Sequence, residues 1–394
     1  MIKLAYVSQY DATDVRAWSG TGATMAQSLR EAGLDLHLIG PLRNQYNLAN
    51  ITRYLSAKYL LHKNDHPQRD PGFLRHYARQ VDIRLAGAPY DVVFAPGSLP
   101  IAFLRTDRPV AMWTDCTFAN LLDYYPKFSN LTARSIRDGH DAERRALANC
   151  DLVLLSCQWA ADSAVRDYGV DPDKIHIVPF GSNMRDEPAS EAVERMIAAR
   201  RESLRHKLSL LLIGVDWYRK GADVASAVTQ ALAGHGVEAE LVVVGCVPPA
   251  HLPQPPGVHF AGFADKAKPD GVARLAGLLE TAHFFILPSR ADCTPVVFSE
   301  AAAWGLPCLA TQTGGILSII AEGCNGMTFP PAADPAAWGA AIAAVARDLD
   351  RYTALCRSSY QAYRQRLNWA TSCRTVKYLL ETMVQRRAVS ALAA

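Results

Sequence analysis

Short apolar runs separated by amphipathic stretches of helix length recur along this chain. In the first half the runs fall at 4–7, 36–39, 92–94, 110–113, 152–155 and 175–178. Such runs of consecutive apolar side chains suit strands covered on both faces, and the segments between them are long enough for crossover helices. The alternation predicts an α/β fold built on a parallel doubly wound sheet. Pro179-Phe180-Gly181-Ser182-Asn183 closes that half, and a charged segment at 185–207 has no strand pattern. The pattern then restarts at 208–214, 239–245, 258–260, 284–287 and 308–311, which predicts a second domain of the same class. The expected organisation is a first domain at 1–184, a connector at 185–207, a second domain at 208–360 and closing helices at 361–394. No repeat or low-complexity tract interrupts it, although 247–256 is a proline-rich loop.

The stretch from 284 onward carries the most chemistry. Phe284-Phe285-Ile286-Leu287 reads as a buried strand that Pro288 stops, and a short polar loop with Asp292 follows. Thr294 has the chemistry of a helix N-cap, and Pro295 fits the first helical position, where its missing N–H costs nothing. Val296 and Val297 would then present backbone amides at a positive dipole end suited to an anion. Glu300 lies about 7.5 Å beyond Pro295 at 1.5 Å rise per residue. Two carboxylates would flank an anion site, the layout required by an extended ligand with hydroxyls at both ends and phosphates between. A nucleotide-sugar is such a ligand.

These residues resemble the acidic-x7-Glu motif of retaining glycosyltransferases of the GT-B fold, most closely glycosyltransferase family 4. Asp292 stands where the family usually has Glu, and Cys293-Thr294-Pro295 replaces its commoner Gly-Phe-Gly loop. Downstream, Leu306-Pro307-Cys308-Leu309-Ala310-Thr311, Gly314-Gly315-Ile316 and the loop from Gly323 to Pro331 are similar to the family's next strand, glycine pair and closing loop. The resemblance covers nearly the whole chain and implies two Rossmann-like domains facing across a cleft, with the final segment crossing back onto the first.

The resemblance also implies roles. A diphosphate leaving group gains negative charge as its bond to the sugar breaks, so fixed cations there favour the transition state. Lys220, before Gly221, stands where the family has its catalytic lysine; Val215 occupies the place of the family's arginine, and Arg219 is the candidate substitute. Asp292 would hold sugar hydroxyls and Glu300 the ribose. Gly20, Thr21 and Gly22 sit where such enzymes have a long first loop touching the diphosphate or acceptor, with an ordinary turn into a helix as the alternative. Asp115 follows the strand at 110–113, where the family often has a histidine nearby; it either orients a hydroxyl or caps a helix. Asn183 resembles the family's interdomain loop. Both Asp-x-Asp sequences, Asp171-Pro172-Asp173 and Asp348-Leu349-Asp350, fall in a turn and on a late helix, so no metal and no other cofactor is expected.

Composition agrees with a two-domain enzyme of 394 residues, since a single core rarely grows past about 250–300 residues. A formal net charge of +3 is too small to argue for nucleic acid. Nine cysteines without a C-x-x-C pair read as reduced core residues of a cytoplasmic protein. The N-terminus reads as a strand rather than a signal peptide, and no apolar run has membrane-spanning length. From Arg53 to Arg84 the chain is basic with apolar residues interleaved. That run is either the solvated face of helices over a core stripe or a contact for anionic lipid heads or a charged saccharide, with peripheral inner-membrane contact as the corresponding expectation.

The leading reading is a retaining, metal-independent glycosyltransferase of cell-surface polysaccharide biosynthesis. Its donor is a nucleotide-diphosphate-sugar, with UDP-sugar preferred over GDP-sugar, and its acceptor is a saccharide or lipid-linked. A non-catalytic nucleotide-sugar-binding scaffold is the alternative, favoured by the departures at Asp292 and Val215. A phosphorylase lacks a sign of its pyridoxal lysine, and a dinucleotide oxidoreductase is opposed by a glycine loop displaced from its strand.

Overall fold

The computed structural model describes residues 1–87, 89–184 and 186–393, which form two compact units, Phe180–Thr371 and the remainder. Ala394 at the end of the closing segment and Arg185 at the start of the expected connector lie outside the described residues.

The first unit, Met1–Pro179 with the residues from Ser372 on, alternates strand and helix. Its elements are β1 (Lys3–Val7), α1 (Thr21–Glu31), β2 (Asp35–Ile39), α2 (Leu48–Tyr59), α3 (Pro71–Leu85), β3 (Val92–Ala95), β4 (Val110–Thr114), α4 (Phe118–Leu121), α5 (Ala133–Asn149), β5 (Leu152–Leu155), α6 (Gln158–Tyr168) and β6 (Ile175–Ile177). Among the described residues they make one six-stranded parallel sheet in the order β2-β1-β3-β4-β5-β6. Every residue of β3, β4 and β5 is buried, as a sheet covered on both faces requires. Helix α3 shows why its segment folds. Asp70 caps it by accepting from Gly72 N, Pro71 takes the first turn, and Phe73, Leu74, Tyr77, Val81 and Leu85 form its buried stripe.

The second unit contains α7 (Ser190–Ser203), β7 (Leu208–Ile213), α8 (Ala222–Gly234), β8 (Ala239–Val244), β9 (Val258–Phe260), α9 (Pro269–Thr281), β10 (Phe284–Leu287), α10 (Val297–Ala303), β11 (Cys308–Thr311), β12 (Gly326–Phe329), α11 (Pro335–Arg347) and α12 (Leu349–Arg366). Helix α13 (Trp369–Ala393) begins in this unit and belongs to the first from Ser372 on. The second sheet is also six-stranded and parallel, in the order β12-β11-β10-β7-β8-β9 among the described residues.

Two segments differ from the sequence pattern. β12, read as a closing loop, pairs with β11 at Cys308↔Gly326 through Thr311↔Phe329. Gly326 permits this pairing, since a Cβ there would lie 2.0 Å from the Cys308 carbonyl oxygen, and Phe329 stacks on Trp338 at 4.0 Å. The charged segment read as a connector carries α7, which buries Val193, Ile197 and Arg200 in the second unit. Arg200 Nη2 donates to the Trp304 carbonyl at 2.8 Å, so this arginine terminates inside the fold. Beside it, His283 accepts from Ser209 N at 2.9 Å through Nδ1 and donates from Nε2 to the Arg200 carbonyl at 3.1 Å. Burial pushes its imidazole pKa down to about 4.

Candidate functional site

In the second unit the chain runs from β7 through β8 and β9, then returns to place β10 on the other side of β7. The carboxyl ends of β7 and β10 are therefore the topological switch point, where ligands bind in open parallel sheets. The loop after β7 carries Arg219 and Lys220; the loop after β10 carries Asp292. Lys220 Nζ reaches Asp292 Oδ2 at 2.5 Å, and the same oxygen accepts from Ser289 Oγ at 3.1 Å. Arg219 Nη1 stands 3.9 Å from that oxygen and donates to the Ala291 carbonyl at 3.2 Å. Arg290 braces the loops from the other side, gripping Asp223 with contacts of 2.8 and 2.7 Å.

Gly221 is required for this approach. Its φ is +70°, and a Cβ on it would lie 2.0 Å from the Pro288 carbonyl oxygen. The glycine thus seats the β7 loop directly on the end of β10, with Lys220 aimed at Asp292. Val215, at the position of the expected arginine, is exposed. Arg219 reaches across from the β7 loop to the Ala291 carbonyl of the β10 loop.

Glu300 is 1% exposed on α10, and Lys266, from the loop after β9, forms an ion pair with its Oε1. Among the described residues, Glu300 Oε2 is buried without a hydrogen-bond partner. An unmet buried acceptor costs about 1–3 kcal/mol, more for a charged group, so it calls for a donor. The opening of α10 differs from the sequence pattern. The helix begins at Val297 with Val296 as its N-cap and no side-chain cap bond, while Phe298 N donates to the Pro295 carbonyl at 3.2 Å. Thr294 therefore does not cap it and Pro295 precedes it. Thr294 is instead buried in the loop between Asp292 and Glu300.

Lys266 was not legible as a site residue. It is one of two lysines in an ordinary loop, and its partner is 34 residues away.

The first unit has its own switch point, between β1 and β3. Gly20 and Thr21 lie on the loop leaving β1, at the start of α1, with Gly22 in the first turn. The backbone here is strained rather than an ordinary turn: Trp18, Ser19 and Gly20 take consecutive φ values of 48°, 55° and 85°. Left-handed non-glycine residues store roughly 1–3 kcal/mol each and cluster at functional loops. A Cβ at Gly22 would meet only Trp18, at an ordinary 3.9 Å.

Asp115 follows β4 half-buried, accepting from Cys116 Sγ at 3.3 Å. It is not a helix cap, since Thr117 and Asn120 form the capping box of α4. A buried ionic group also sits in this unit. Glu143 accepts from Ser98 Oγ at 2.7 Å, and Arg69 lies 4.5 Å over the Phe118 ring, its Nη1 without a partner among the described residues. Burial raises the Glu143 carboxyl pKa and lowers that of Arg69, each opposed by the other's charge. Asn183 accepts from Trp369 Nε1 at 3.1 Å and fixes the start of α13.

Two family models match the chain: Glycosyltransferase Family 4 over residues 23–184 and Glycosyl transferases group 1 over residues 207–348. Curated relatives include the D-inositol 3-phosphate glycosyltransferase of Xylanimonas cellulosilytica, 30% identical over 240 residues, or 58% of this chain and 56% of the relative. The protein of the same name from Corynebacterium kroppenstedtii is 25% identical over 257 residues, or 62% of this chain and 56% of that one. The chain thus spans about half the length of the curated relatives it matches. In fold it is similar to sucrose-phosphate synthase from Thermosynechococcus elongatus, at a TM-score of 0.66 and 16% identity over 99% of this chain and 100% of that one. It is likewise similar to Anabaena HepE in complex with UDP, at a TM-score of 0.64 and 15% identity over 97% of this chain and 100% of that one.

Proposed function

Since this chain belongs to the GT-B glycosyltransferases, a family 4 domain followed by a group 1 domain, we propose that it transfers a sugar from a nucleotide-diphosphate-sugar to a saccharide or lipid-linked acceptor with retention of configuration. The observation that carries this reading is Glu300, whose buried Oε2 finds no donor among the described residues at the switch-point edge. A ribose hydroxyl supplies that donor, while Lys266 holds the other oxygen in place.

The chemistry follows from the neighbouring cations. As the bond from the anomeric carbon to the diphosphate breaks, Lys220 and Arg219 meet the charge growing on the phosphate. The acceptor hydroxyl attacks from the same face, and its proton passes to the leaving phosphate oxygen. Asp292 accepts sugar hydroxyls while anchoring Lys220, and its shorter reach relative to Glu selects the sugar. Thr294, Pro295, Val296 and Val297 line the path between the carboxylates and contact the donor. Gly20, Thr21 and Gly22 offer backbone to the diphosphate or acceptor, and Asp115 orients a hydroxyl. Catalysis is metal-independent in this reading.

A UDP-sugar donor is favoured, since HepE, a protein of similar fold, has been solved with UDP and with UDP-glucose. Inositol phosphate joins the acceptors to be tested, because the curated relatives are named for it. The proposed setting is cytoplasmic cell-surface glycan assembly.

The test is a panel of uridine, guanosine and adenosine diphosphate sugars with EDTA present, following nucleoside diphosphate release and the anomer of the product by NMR. Release from one donor with retained configuration supports the reading. An inverted product or dependence on a divalent ion overturns that part of it, and binding without release across all acceptors makes the protein a scaffold.

A further inference from the structure

Helix α2 turns its apolar face away from the domain. It buries only Asn50 and Ala57, whereas Leu48, Ile51, Leu55 and Tyr59 are exposed, Leu48 by 80% and Tyr59 by 63%. At 3.6 residues per turn those four fall within an arc of about 80°, and Asn50 and Ala57 lie on the opposite side. Leu60 and Leu61 extend the exposed apolar surface past the helix. A soluble surface helix has the reverse arrangement.

The helix is held in this rotation. Arg53, on the inner side, bonds Asp65 at 2.7 Å, Asp70 at 3.2 Å and Asp138 at 3.0 Å. Asn47 and Asn50 close a capping box at its N-terminus. Turning the leucines inward would break this buried ion cluster, so the exposed stripe belongs to the folded state.

The surrounding charge identifies the occupant. No Asp or Glu occurs between Asp35 and Asp65. Arg43, Lys58 and Lys63 are exposed in that interval, and Lys58 Nζ lies 5.9 Å and 5.3 Å from the ring centres of Tyr54 and Tyr59. Apolar side chains flanked by tyrosines and lysines, without an acid, match the boundary between headgroups and acyl chains of an anionic bilayer. Among the described residues no helix is long and apolar enough to cross a membrane, so the contact lies in the plane of the surface.

We propose that α2 is an interfacial helix that docks the first unit on an anionic lipid surface, its apolar stripe entering the headgroup boundary and its lysines meeting lipid phosphates. The helix belongs to the first unit and the proposal uses none of the residues of the second unit's edge, so it does not depend on the glycosyltransferase reading.

The test is sedimentation of the full chain with vesicles of phosphatidylglycerol and phosphatidylcholine, or of phosphatidylcholine alone. Wild type binds the anionic vesicles, and the affinity falls at least tenfold in the triple variant Leu48→Ser, Leu55→Ser, Tyr59→Ser. Lys58→Gln with Lys63→Gln weakens binding about five-fold per lysine, and salt weakens it further. A Tyr59→Trp variant shows a blue-shifted emission on adding the anionic vesicles. The substituted side chains are exposed, so the variants keep the wild-type melting temperature. Failure of wild type to bind at low salt, or equal binding by the triple variant, overturns the proposal. So does a concentration-dependent dimer that the triple variant abolishes, which would make a second copy the occupant.

Discussion

Lys220 and Asp292 form a close ion pair at the switch-point edge of the second unit, and their substitutions separate charge from packing. Lys220→Ala leaves a buried carboxylate without its main partner, with a cost of about 3 kcal/mol to stability. Adding Asp292→Asn removes the charge left without its closest cation and restores most of the melting temperature, while on the proposed function turnover stays at least about a hundredfold down, since the cation proposed to face the leaving group is still missing. Thermal melts and initial rates on the two variants check this; full activity in the double variant would remove Lys220 from the mechanism. Lys220, Asp292 and Glu300 were legible because each sits in a short motif beside a strand end. Lys266, Arg69 and Glu143 were not, because their meaning lies in partners distant in sequence and no local pattern marks an ordinary lysine as the mate of a buried glutamate.

His283 supplies a residue-scale pH effect. The unfolded chain takes up its proton near pH 6.5 and the folded chain only near 4, so stability is fully present above about 6.5 and is lost as pH falls between the two. The loss reaches about 2 kcal/mol by pH 5, at 1.36 kcal/mol per unit. Urea midpoints at pH 7 and pH 5 measure it, and His283→Gln flattens the dependence.

At the level of elements, the apolar runs marked eleven of the twelve strands among the described residues, because a buried parallel strand is a contiguous hydrophobic word. β12 escaped because Gly326 and Thr328 dilute its pattern, and its pairing depends on a missing Cβ that composition does not advertise. Helix α10 opens two residues later than Pro295 suggests, since the chain spends Pro295 and Val296 in a tight turn before regular bonding begins. The basic run from Arg53 to Arg84 divides in two. α3 is a solvated face over a core stripe, whereas α2 directs Arg53 inward and leucines outward. Gly221→Ala tests the loop-on-strand seating. The left-handed conformation alone costs about 1–2 kcal/mol, and the clash with Pro288 displaces Lys220 as well. A lower melting temperature together with lost donor turnover is expected; a variant with normal turnover would show that the seating is dispensable.

For the whole molecule, each unit carries a six-stranded parallel sheet with its own core and its own switch-point edge among the described residues. Nucleotide addition should slow hydrogen exchange at 216–221 and 289–300, the segments that form the second edge. On the proposed function, this edge holds a nucleoside diphosphate between the Lys220–Asp292 pair and Glu300, and titration calorimetry of UDP and GDP onto wild type, Lys220→Ala and Glu300→Gln tests that. One nucleotide should bind per chain. Glu300→Gln should weaken it by about ten- to a hundredfold, the worth of a charge-assisted hydrogen bond, and Lys220→Ala should weaken the diphosphate more than the corresponding monophosphate. Equal affinity in all three proteins would mean that the nucleotide is held elsewhere.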